Sequence, residues 1–90
     1  MSSRPIPIPR EDLLERPLQD ELALFDVERG AVHTLNPSAT IVWKALQTGS
    51  DMGELVAALV EAFEVSEAEA AEGVEAALTQ LVEADLARIG

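Results

Sequence analysis

The chain has no cysteine and no tyrosine, and only one histidine, one tryptophan and two phenylalanines in 90 residues. Without cysteine there can be no disulfide, thiolate zinc site, cysteine-ligated iron–sulfur cluster or thiol nucleophile, and the lone imidazole of His33 leaves no histidine metal cluster. No cofactor is expected, and any demanding chemistry falls to another chain. With so few aromatics the core must be built from Leu, Val, Ile and Ala, which favours short packed elements over a deep substrate pocket. Basic residues are scarce too: six Lys and Arg stand against seventeen Asp and Glu, a formal net charge of −11. Such a field repels phosphate backbones, so nucleic acid is an unfavourable partner. No apolar run approaches the ~20 residues that span a bilayer, and the opening "MSSRPIPIPR" lacks the apolar stretch of a signal peptide. These absences read as a soluble, cytoplasmic protein with no membrane partner.

What is present is patterned. Ninety residues make one domain at most, with about 60 to 65% of the unfolded surface buried, so the core is thin. Pro5, Pro7 and Pro9 alternate with Ile6 and Ile8, which forbids an inner strand and makes residues 1–11 an extended arm ahead of a domain at 12–90. Asp12 to Leu18 reads as a short strand or one turn of helix; the strand is favoured, at a sheet edge because of Pro17. "ELALFD" (Glu21 to Asp26) alternates, with Leu22 and Leu24 on one face and Ala23 and Phe25 on the other. "VERG" turns the chain, and "AVHTL" (Ala31 to Leu35) returns as the hairpin partner.

After Asn36 everything reads as helix. Asn36 is suited to cap a first helix and Pro37 to begin it, where a missing N–H costs nothing. That helix spans about Pro37 to Gln47, with Ile41, Val42, Ala45 and Leu46 as its apolar stripe and Trp43 off the stripe's centre, a core-edge anchor. A second helix, about Asp51 to Phe63, carries Met52, Leu55, Val56, Leu59 and Phe63 on one face. Ser66 and Glu69 form an S-x-x-E capping box that opens a third, about Glu67 to Ala84. Its apolar face is Ala70, Val74, Ala77, Leu78, Leu81 and Val82, and "DLARIG" folds back over the core. The fold class is α+β: a small antiparallel sheet of about three strands, then three helices, the content of a winged helix-turn-helix with its sheet placed first.

"GAVHTLNPSATIVWKAL", followed by "ELVAALVEAFEVSEAEAAEGVEAALTQLVEADL", resembles the PqqD-like family of peptide chaperones, the recognition elements for ribosomally made, post-translationally modified peptides. The resemblance runs from about Leu22 to Leu86 and is most specific at Leu35-Asn36, Ala39 and Trp43, then in the Leu55 to Val65 pattern. "QTGSD" stands in place of a commoner Asp-Gly turn, and "EADL" where Ala-Gly-Leu is frequent. What the resemblance implies is an exposed last strand that pairs with a precursor's leader peptide, in a groove closed by the third helix. It also implies a separate modifying enzyme as partner, such as a radical enzyme, a cyclase or a leader peptidase.

The candidate peptide-binding residues are therefore Ala31, Val32, His33, Thr34 and Leu35 on the edge strand, with Gly73, Ala76, Ala77 and Gln80 as a low-relief strip on the third helix. Each has a plainer reading. In it the edge is covered by the arm or by a second copy, giving a monomer or an edge-strand dimer; His33 is a packing residue, and the helix strip merely good surface filler. Glu67, Glu69, Glu72 and Glu75 form a solvated half-helix and no metal cluster or catalytic carboxylate pair. A DNA-binding winged helix would need basic residues on the third helix, which has none. The function expected is non-enzymatic leader recognition, with a winged-helix protein–protein adaptor as the alternative.

Overall fold

The computed structural model describes residues 5–89; residues 1–4 of the arm and Gly90 lie outside the described residues. Eight elements follow one another: β1 (Ile8–Pro9), β2 (Leu14–Leu18), β3 (Glu21–Asp26), β4 (Ala31–Leu35), α1 (Pro37–Gln47), α2 (Met52–Phe63), α3 (Glu67–Glu83) and β5 (Ala87–Arg88). β2, β3 and β4 form an antiparallel sheet in that order, and β1 pairs with β5 in a separate two-stranded ribbon.

The sheet follows from alternation. Leu22 and Leu24 of β3 and Leu35 of β4 are buried on the inner face, and the register sets Leu22 against Leu35 and Leu24 against His33. Pro17 sits in β2, whose single neighbour is β3, so its missing N–H faces no second ladder. Gly30 closes the β3–β4 turn at φ +65°, a conformation open to glycine at no steric cost.

Each helix starts where a cap satisfies its first amides. The Asn36 side chain accepts from the Ala39 N–H at 2.8 Å, and the buried Thr40 hydroxyl donates to the Leu35 carbonyl. Asp51 with Glu54, and Ser66 with Glu69, make reciprocal capping boxes. α1 crosses the inner face of the sheet and touches α2 and α3. Trp43 belongs to the core itself, fully buried among Leu, Val and Ala side chains, and not to its margin as the helical stripe suggested. Its ring N–H donates at 3.0 Å to Glu15 of β2, which gives the one polar atom of the indole a partner. The tail folds back as expected through residue 89, with Leu86 and Ala87 buried.

An ion-paired seam joins the chain's two ends to the β3–β4 turn. Arg10, directly after β1, donates to Asp26 at 2.8 Å and to Asp12 at 2.7 Å, while Arg29 and Arg88 both bond Asp85. The Arg10–Asp26 pair is the enclosed one, at 6% and 2% side-chain exposure. The Arg10 guanidinium holds the carboxyls of Asp12 and Asp26 below their ordinary range. Hydrogen bonding to Arg88, reinforced by the charge of Arg29, takes Asp85 down to about 2.

Candidate functional site: an open strand edge beside α3

β4 has β3 on one side and, among the described residues, no strand on the other. The described part of the arm does not protect it, because Ile8 and Pro9 pair with Arg88 and Ala87. Alternate residues of β4 therefore direct N–H and C=O groups to an unpaired edge.

The helices are disposed asymmetrically about that edge. α2 lies on the β2 side of the molecule: its cap Asp51 lines a concavity with Leu13 and Glu15, and Phe63 at its far end lines another with Gln19 and Asp20 of the β2–β3 turn. α3 lies on the β4 side, where Arg29 of the β3–β4 turn bonds Asp85 just beyond the helix. Yet no Cα of α3 comes within 8 Å of a Cα of β4. Strand and helix thus stand apart, tied near one end by the Arg29–Asp85 bridge.

Ala31 and His33 are half-buried and Leu35 is buried, whereas Val32 and Thr34 point outward and are exposed. The first three line the inner side of the edge and the other two its outer side. On α3 the candidate strip divides. A Cβ on Gly73 would stand 3.2 Å from a Leu59 methyl of α2, so the close approach this glycine permits is that of α2. Ala77 is buried in the core. Ala76 and Gln80 are exposed and line a shallow depression on the outward surface of α3, with Thr79 and Glu83.

Gly73 marks the flank toward α2. Helical spacing puts Ala71, Leu78 and Val82 on the opposite flank, with Ala71 and Val82 half-buried. Neither Ala71 nor Val82 stands among the candidates from sequence, which places Val82 on the apolar face; they share a flank with Leu78 by i, i+7, i+11 spacing, and the Gly73–Leu59 approach shows which flank meets α2. Among the described residues no group of three or more His, Asp or Glu is placed to hold a metal ion. Among the same residues no helix is long and apolar enough to cross a membrane.

A sheet followed by three capped helices, with one strand edge open, defines a small winged-helix-like α+β domain. The family model described as PqqD, coenzyme PQQ synthesis protein D, matches residues 21–87, and the chain belongs to that family. Two solved structures share the fold. TbiB1 in complex with the TbiA(beta) leader peptide is 19% identical, with a TM-score of 0.77 over 89% of this chain and 93% of that one. Lasso peptide synthetase B1 complexed with the leader peptide is 22% identical, with a TM-score of 0.78 over 91% and 96%. No curated protein matches the sequence significantly.

Proposed function

We propose that this protein recognises the leader of a ribosomally made precursor peptide and presents it to a separate modifying enzyme. The observation that carries this reading is the uncovered edge of β4 standing apart from α3. A peptide adding as a strand satisfies the edge's amides and carbonyls, and drops every second side chain into the gap lined by Ala31, His33, Ala71 and Val82. Membership of the PqqD family and the leader-bound state of both solved structures support it. No bond is made or broken by this chain; it acts by raising the effective concentration of substrate at the enzyme and fixing its orientation. From Asp51 to Ala87 there is no Lys, Arg or His, which disfavours a DNA-reading α3.

The test is calorimetric titration with precursor leader peptides, beginning with any encoded near this chain's gene. Affinity is expected at micromolar or tighter, about 8 kcal/mol or more. N-methylation of single leader residues should weaken binding with a period of two, because only alternate peptide N–H groups face β4. A loss without periodicity, or none, would replace strand addition with another mode.

A further inference from the structure

The outer face of the three-stranded sheet takes no part in the leader groove and is covered by no helix. The register places Leu14, Phe25 and Val32 side by side across β2, β3 and β4. Leu14 is 59% and Val32 57% exposed, so an apolar row runs from one free edge of the sheet to the other. Beside it lies the row Arg16, Ala23, Thr34. On a chain of seventeen acids, Glu21 is the one carboxylate at the outward positions of this sheet. Arg16 is exposed and, unlike Arg10, Arg29 and Arg88, enters no ion pair among the described residues.

We propose that this face docks the peptide-modifying enzyme, through an apolar patch that carries a carboxylate opposite Arg16. The proposal rests on the leader-recognition reading. Two arguments select the occupant. A second copy of the chain brings another −11 charge and is repelled, whereas a partner carboxylate finds in Arg16 an unpaired cation inside an apolar field. Continuity with the groove supplies the second argument. A leader strand added at β4 widens the same face by one strand spacing of ~4.8 Å and turns half its side chains outward beside Val32. An enzyme seated here meets recognition module and substrate on one surface.

The experiment separates the two functions by using β2, the strand farthest from the groove. The probe is a purified peptide-modifying enzyme, chosen from any encoded near this chain's gene and immobilised on a biosensor, with leader binding measured separately by calorimetry. Leu14→Asp and Arg16→Glu, both at exposed positions, should each weaken enzyme binding at least about tenfold, the effect of losing one central anchor, and leave leader affinity and the circular dichroism spectrum unchanged. Undiminished enzyme binding by both variants, or no binding by the parent, would overturn the proposal. So would sedimentation of the parent as a dimer that Leu14→Asp dissociates, since the face would then belong to a second copy. If the leader fails to bind but enzyme binding still depends on Leu14 and Arg16, leader recognition falls and the docking face stands.

Discussion

Gly73 shows how one residue's surroundings decide what it is for. In the sequence it is a helix-interior glycine, a cost of about 1 kcal/mol relative to Ala, and a strip of small residues around it suggests a surface kept low for a visiting peptide. In the structure the visitor is Leu59 of α2. Gly73→Ala should therefore gain helix propensity and lose part of it in displacing a buried leucine, for a net change in stability below about 1 kcal/mol. Leader affinity should not move. Val82→Trp, on the opposite flank, should lower leader affinity at least about tenfold with the fold retained. Urea unfolding and calorimetry of the two variants check the assignment of flanks, and the reverse pattern would return the site to the Gly73 side.

At the scale of elements, local chemistry began the helices where the sequence said it would. Asn36-Pro37 starts α1 and Ser66 with Glu69 starts α3, because a cap is written in residues three or four apart. Ser66→Ala removes the acceptor for the Glu69 N–H, and should cost about 1 kcal/mol in chemical denaturation. Loss of both members of the box should cost little more than the worse single change, since they act as one reciprocal unit. The edge strand of the candidate site was legible for the same reason: alternation and the Gly30 turn are local. What could not be read is tertiary. Two-residue strands such as β1 and β5 carry no periodicity, the Arg10–Asp26 pair spans sixteen positions, and Trp43 looks marginal on its own helix until β2 supplies Glu15. That Gly73 faces α2 and Ala77 the core could not be read either, because the flanks of a helix are distinguished only by its neighbours.

For the whole molecule, acid should be the effective denaturant. Asp85 titrates at about 2 in the fold, and Asp12 and Asp26 are also depressed, against about 3.9 for an unfolded aspartate. The unfolded chain thus takes up protons first. The stability these groups contribute is whole above about pH 4 and is lost as pH falls toward 2. Asp85→Asn should flatten the decline, measured as thermal midpoint against pH, and should lower the midpoint at neutral pH. High salt should reduce the Asp85 contribution, because both its arginine partners are more than half exposed. The enclosed Arg10–Asp26 pair should be less sensitive.

The same seam has a consequence for how this chain can be joined to others. Ile8 lies opposite Arg88, so the polypeptide enters and leaves the domain at one spot. A fusion built at either end would radiate from the same point, and the order of the two genes in such a fusion would matter little to the geometry. The strands could even be spliced there and the chain reopened at the exposed Thr48–Gly49 loop, giving a circularly permuted domain that keeps β4 and α3 intact.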